Sequence, residues 1–302
     1  LGIASIVLWS TTVALGRSLG EQLGSLTSAS AIYLLGGMLG CAHLTLSPGG
    51  MATARSLGVR YLLGCGGLFA LYMVCLYGGL GSADTRHQAM QVGLLNYLWP
   101  MFTLLFSVPV LGMRATVLLV PGALIGTAGV FLATIPNTAL DAQPIQENAP
   151  LDGLPYLLGI AAAVSWALYS TLSRKWAGQG QGGAVPLFML GTGILLAAAR
   201  LVWTERPAWS GRAVRELLFL AISTNLAYVF WEQAMRKGDL VLVAACSYLT
   251  PLLSTLISSL YLGVMPGTRL WIGCVLVILG ATTCRLALRE PTAQSIANQH
   301  DV

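Results

Sequence analysis

The chain has 302 residues, of which 56% are hydrophobic and only 9% charged, with a net charge of +5. A soluble domain carries roughly 25% charged residues, so this composition excludes an ordinary water-exposed surface. The basic residues sit in short loops between apolar runs, which is a topology pattern and not a nucleic-acid face.

Ten apolar runs predict transmembrane helices near residues 1–16, 29–46, 61–80, 92–111 and 115–135, then 154–173, 185–203, 217–234, 240–262 and 270–288. None alternates polar and apolar residues as barrel strands do. The first run is slightly short for a span, which needs roughly 17–25 residues, and predicts that residues precede Leu1. No basic leader is visible. Between the fifth and sixth runs lies a polar stretch with Pro136, Pro144, Pro150, Asp141, Glu147 and Asp152 but no Lys or Arg. The predicted organisation is therefore a five-helix unit at 1–136, a linker at 137–153, a second unit at 154–288 and a tail at 289–302.

Basic residues set the expected orientation. With both termini in the cytoplasm, the inner loops hold nine of the 16 basic residues, including both lysines, Lys175 and Lys237. The lysine-free acidic linker then falls outside. The bias is small, and it predicts a multi-pass protein with a cytoplasmic tail.

The two units repeat each other. Shifted by 157, Gly2, Ile3, Ala4, Val7, Trp9, Leu15 and Arg17 recur as Gly159, Ile160, Ala161, Val164, Trp166, Leu172 and Arg174. Shifted by 151, Tyr97, Leu98, Pro100, Leu105 and Ser107 recur as Tyr248, Leu249, Pro251, Leu256 and Ser258. The same shift pairs Tyr77 with Tyr228, Gly122 with Gly273 and Gly129 with Gly280. Five is odd, so the second copy must insert upside down. The expected fold is all-α: ten transmembrane helices as two inverted five-helix repeats. That build suits a secondary transporter with its substrate site between the repeats; duplication that records ancestry alone is the alternative.

Polar residues fall on matching faces. Asn96, Trp99 and Thr103 share one helix face, and their partners are Ser247, Thr250 and Ser254. Such a stripe must face protein or water. Pro100 and Pro251 supply no N–H to the carbonyls four residues earlier, which predicts a kink, a freed carbonyl and a hinge in each span. Ser5, Trp9 and Thr12 form a second stripe, and Trp166, Tyr169 and Ser173 its counterpart. In the eighth run Asn225, Tyr228 and Glu232 share a face. The predicted substrate-binding set is Trp9, Tyr77, Asn96, Trp99, Trp166, Tyr169, Tyr228, Ser247 and Thr250. For each, helix packing is the competing reading.

Glu232 is the acidic residue clearly inside a span, and it either acts in transport or snorkels to Arg236. His43 and His87 lie near span ends. Gly36 with Gly40, and Gly122 with Gly126, read as close helix packing. The 6 Cys all lie in apolar runs without a Cys-x-x-Cys pair, so no disulfide framework, metal site or cofactor is expected. Walker, His-Glu-x-x-His and Gly-x-Ser-x-Gly signatures are missing, so an enzyme is not expected.

The segments Asn96-Tyr97-Leu98-Trp99-Pro100 and Ser247-Tyr248-Leu249-Thr250-Pro251, each followed by Leu-Gly at 111–112 and 262–263, carry a resemblance. The chain resembles the drug/metabolite transporter superfamily, and within it the EamA-like ten-helix exporters. Many members carry an acidic residue after Leu-Gly, where this chain has Met113 and Val264. The aromatic Tyr-Leu-Trp-Pro form is similar to bacterial inner-membrane exporters of aromatic amino acids. The resemblance implies outward movement of Phe, Tyr or Trp, and related neutral metabolites, by alternating access in a monomer. A cavity of Trp, Tyr, Asn, Ser and Thr agrees with a neutral zwitterion; phosphorylated substrates would want Lys or Arg at depth. A passive pore for small neutral solutes, or a structural or lipid-scrambling protein, remains the alternative.

Overall fold

The structure is a computed structural model that describes residues 1–50, 52, 56–83, 86–134, 153–177, 183–202, 204–261 and 268–289. The predicted linker up to Asp152 and the tail beyond Arg289 lie outside these residues, as do the side chains of Thr12 and His87.

Apolar runs fold into helices because lipid offers the backbone no other hydrogen-bond partner. The first half holds α1 (Gly2–Leu23), α2 (Ser25–Leu46) and α3 (Arg60–Gly81), whose first turns, Arg60–Cys65, are π-helical. It continues with α4 (Arg86–Asn96), α5 (Trp99–Leu111) and α6 (Leu119–Thr134). The second half holds α7 (Leu154–Trp176), α8 (Val185–Val202), α9 (Gly211–Lys237), α10 (Leu240–Cys246), α11 (Leu249–Tyr261) and α12 (Thr268–Ala287).

Among the described residues, five helices are long and apolar enough to cross a membrane: α2, α3, α7, α8 and α9. Shorter apolar helices accompany them. Ile3, Val7, Leu71, Val74, Leu124, Ile194, Ile222, Val275 and Ile278 are all exposed. A water-soluble surface rarely presents so much contiguous apolar area. The chain is an all-α, multi-pass membrane protein.

Two helices run further than their apolar residues suggest. The first run was expected to stop at Gly16, yet α1 continues to Leu23. Its polar last turns are held by the start of α9: Ser18 donates to Glu216 at 3.1 Å and Gln22 at 3.0 Å. The same contacts lengthen α9 back to Gly211, six residues before the expected start at Leu217.

The halves interlock. α6 lies along α12, α2 along α8, α1 along α9 and α3 along α7, while α5 rests on α7 and α11 on α1. Exchanging the halves turns each pairing into itself or into another of the set. Glycine allows the closest of these approaches. A Cβ on Gly37 would stand 2.6 Å from the Leu190 amide nitrogen, and one on Gly193 2.6 Å from that of Leu34. The expected pairs pack likewise: Gly36 against the Ala221 carbonyl, Gly40 against Asn225 and Pro186, Gly122 against Cys284 and Gly126 against Tyr248. After α5, β1 (Arg114–Ala115) pairs antiparallel with β2 (Leu288–Arg289), tying the α5–α6 turn to the end of α12.

Candidate functional site

Two of the predicted spans are broken at equivalent places. The predicted fourth span divides at Tyr97 and Leu98 into α4 and α5; the ninth divides at Ser247 and Tyr248 into α10 and α11. Each break lies just ahead of its proline. Pro100 occupies the first turn of α5, where a missing N–H does no harm. The turn tightens at both breaks: the Leu98 amide donates to the Leu95 carbonyl at 3.1 Å, and Thr250 to Ser247 at 3.0 Å. The expected freed carbonyl at Ser247 is thus a correction, because the tight turn brings a donor from residue 250 to meet it. Pro100 and Pro251 are both buried.

A cavity of about 370 Å³ opens between the breaks. That lies within the roughly 300–1,000 Å³ of small-molecule pockets. Its walls come from α1, α2, α3, α7, α9 and both broken spans, so both halves build it. Trp9, Tyr77, Asn96, Trp99, Trp166, Tyr228 and Thr250 line it, and no charged side chain among the described residues does. Two predicted members do not. Tyr169 packs behind the wall, 5.0 Å from the Trp166 ring and 5.5 Å from Phe69. Ser247 is fully buried, its hydroxyl turned back onto the Ala244 carbonyl at 2.5 Å. The hydroxyl satisfies itself on its own helix, so a polar type did not become a cavity group.

The aromatic wall is continuous. Trp9 meets Trp166 at 5.6 Å, Tyr228 at 5.4 Å and Trp231 at 5.3 Å between ring centres. Trp99 meets Trp231 edge-on at 5.2 Å. Tyr72 adds a ring 4.9 Å from Trp166. The Tyr33 and Tyr228 hydroxyls bond at 2.6 Å. Tyr33 and Tyr72 also line the cavity and were not expected; no repeat partner marked them, though aromatic residues inside a span were a signal.

Two cavity-lining polar atoms are buried without a hydrogen-bond partner among the described residues: Asn96 Oδ1 and Thr250 Oγ1. They sit at the two helix breaks, one in each half. Buried polar groups are ordinarily satisfied, so such a pair facing a cavity can receive a ligand.

The cavity reaches Gly16 of α1 and Leu80 of α3, toward the membrane face where those helices end. Toward the opposite face it is closed. Trp231 is fully buried and donates to Ser170 at 3.1 Å. Beyond it, the Tyr61 hydroxyl accepts from the Ala184 amide at 3.2 Å, Arg236 donates to the Ala177 carbonyl at 3.3 Å and Arg174 to Gly238 at 2.7 Å. Glu232 stands here, against Gly183 and 3.9 Å from Arg236, and does not line the cavity. Asn225 is likewise used for packing, donating to the Gly36 carbonyl at 2.9 Å.

The profile of the EamA-like transporter family matches twice, over residues 1–135 and 153–284. The chain is 35% identical to the aromatic amino acid exporter YddG of Salmonella typhimurium over 96% of its own length and 97% of that protein's. It is 34% identical to the Escherichia coli YddG over the same shares, and 30% to that of Ancylobacter novellus. A solved crystal structure superposes with a TM-score of 0.79 at 29% identity, covering 94% of this chain and 96% of that one. These matches exclude an enzyme as the reading, and the chain belongs to the EamA-like transporter family.

Proposed function

We propose that the chain exports aromatic amino acids and related neutral zwitterions across the bacterial inner membrane. One observation carries the reading: an aromatic cavity between the halves that no charged side chain among the described residues lines, with Asn96 Oδ1 and Thr250 Oγ1 unpartnered among those residues at the two helix breaks. The amide oxygen accepts from the substrate ammonium, and the hydroxyl donates to its carboxylate. Trp9, Trp99 and Trp166 hold the side-chain ring edge-to-face, an arrangement worth about 0.5–1.5 kcal/mol per pair beyond area burial. The names of the YddG relatives support this substrate class.

The architecture in this reading is ten spans in two inverted repeats, 1–136 and 154–288, joined by an extracytoplasmic linker at 137–153 and followed by a cytoplasmic tail at 289–302. The doubled family match and the exchange symmetry of the helix pairings support it. Both termini lie in the cytoplasm, so the cavity faces outward and the closed end inward. The breaks at Pro100 and Pro251 act as hinges, and one half rocks on the other to alternate access. One chain supplies every wall of the cavity, which supports a monomer as the working unit.

The test is counterflow of radiolabelled Trp into proteoliposomes with a panel of unlabelled competitors. Saturable uptake, competed by Phe and Tyr but not by Lys or Glu, is expected. Flux that never saturates would replace a carrier with a pore.

A further inference from the structure

Three side chains of the cavity wall form a chain of hydrogen bonds. Tyr33 on α2 donates to the Met73 sulfur on α3 at 3.0 Å, and the Tyr33 and Tyr228 hydroxyls stand 2.6 Å apart. All three residues are buried, and all three line the cavity. Tyr33 and Tyr228 make no other hydrogen bond among the described residues.

The partners fix which way these hydrogens point. A thioether sulfur carries no hydrogen and can only accept. A phenol has one hydrogen to give, and Tyr33 gives it to Met73. Tyr228 is then the donor in the 2.6 Å bond, so donation runs from Tyr228 to Tyr33 to Met73. A hydroxyl that keeps its hydrogen turns to suit either kind of partner. With its hydrogen committed to Tyr33, the Tyr228 oxygen can only accept. Donation along a chain also polarises its members, which makes that oxygen a better acceptor.

We propose that Met73 sets the substrate preference: by fixing the order of the two hydroxyls it makes Tyr228 a dedicated acceptor, which favours aromatic amino acids whose ring carries a hydrogen donor. The indole N–H of Trp and the phenol O–H of Tyr qualify; Phe has no such group. The proposal rests on the export reading above and adds recognition of the polar edge of the ring. Tyr228 is well placed for this, its ring centre 5.4 Å from that of Trp9 and 5.5 Å from that of Trp166, two of the side chains that hold the substrate ring in that reading. The substrate ammonium is also a donor, but every amino acid carries one, so it gives no discrimination. Met73 is a positioning residue, acting through Tyr33 and Tyr228.

Competition against radiolabelled Trp counterflow in proteoliposomes tests this with a matched pair. The competitors are unlabelled Trp and its benzothienyl analogue, in which sulfur replaces the ring N–H. The wild type is expected to favour Trp about fivefold, as one net hydrogen bond allows. Met73→Leu keeps the bulk of the side chain and removes the sulfur, so the Tyr33 hydrogen turns to Tyr228 and the order is lost. The preference is expected to shrink toward parity, with little change for the analogue. A packing defect alone would weaken both competitors alike and leave their ratio as it was. Tyr228→Phe removes the acceptor while leaving the Tyr33–Met73 bond in place, and is expected to abolish the preference. Equal competition by the two compounds in the wild type, a comparison that needs no variant, would overturn the proposal. An unchanged ratio in Met73→Leu or Tyr228→Phe would do the same. Absence of saturable Trp counterflow would instead end the export reading, and this proposal with it.

Discussion

The hydroxyls of Tyr33 and Tyr228 stand 2.6 Å apart and bond the second helix of one half to the long α9 helix of the other. Both rings are buried and both line the cavity, so the bond joins the halves beside it. Tyr33→Phe removes one partner and strands the other. Thermal unfolding in detergent is expected to fall by about 1 kcal/mol. The double variant with Tyr228→Phe is expected to recover part of the loss, since neither hydroxyl of the pair is then left without the other. Strictly additive losses would show that the two hydroxyls do not act as a pair.

Asn96 and Thr250 supply the unpartnered polar atoms at the two breaks. Thr250→Val keeps the shape and removes the hydroxyl; Asn96→Ala removes the amide. If these groups hold the charged ends of the substrate, each variant raises KM about tenfold, since a hydrogen bond to a charged group is worth roughly 1.5–3 kcal/mol. Proteoliposome kinetics read this directly. An unchanged KM in both would remove the helix breaks from the recognition scheme.

Replacing Trp99 and Trp166 separates recognition from packing. Trp166 touches the rings of Trp9, Phe69, Tyr72, Tyr169, Tyr228 and Trp231, and so holds the wall together. Its change to Ala is expected to cost about 3–5 kcal/mol and yield less folded protein. Trp166→Phe is therefore the informative variant there. Trp99→Ala, beside the break and in contact with fewer rings, is expected to stay folded and lose most Trp counterflow. Full counterflow in Trp99→Ala would place the substrate ring elsewhere.

Glu205 gives a pH dependence of known sign. It lies in the loop between α8 and α9 and accepts from the Leu26 amide at 2.9 Å, the Thr27 amide at 2.8 Å and the Thr27 hydroxyl at 2.6 Å. Burial raises its pKa, but these bonds and Arg200 outweigh burial and hold it below its ordinary 4.5. A depressed carboxyl stabilises the fold fully above its unfolded value, and that share is lost as pH falls through the folded value. The unfolding temperature of the wild type is expected to drop on acidification below pH 4.5, with a smaller drop in Glu205→Gln. Parallel curves for the two proteins would refute the capping role.

The sequence made the all-α, multi-pass class legible because lipid forces one solution on an apolar run. Trp9, Trp99 and Trp166 were marked because each shares a helix face with hydroxyl or amide side chains. What escaped was tertiary. Tyr33 and Tyr72 enter the cavity only because α2 and α3 turn those faces inward, and nothing in their spacing encodes that rotation. Ser247 shows the reverse error: a small hydroxyl in a span can bond its own helix, so polar periodicity overstates the cavity. The Pro signals were read as kinks, whereas each marks the start of a new helix, because proline is well suited to a first turn.

Glu232 decides the expected energetics. Coupling transport to a proton ordinarily needs a titrating group in the substrate path. Glu232 is 2% exposed, packs against Gly183 and faces Arg236 at the closed end, outside the cavity lining. Its counterpart at the 151 shift is Gly81, so the other half carries no matching carboxylate. A group on one side only, paired with an arginine one turn away, fits a closing contact for the inner end better than a proton relay. Substrate is then expected to run down its own gradient, as suits a carrier that relieves a cytoplasmic excess. Glu232→Gln is expected to retain counterflow across a range of pH, with a faster leak where the closed end is loosened. Transport in proteoliposomes with and without an imposed proton gradient is the measurement. Uphill substrate movement driven by that gradient, and abolished in Glu232→Gln, would make Glu232 a proton carrier and end the facilitated-transport reading.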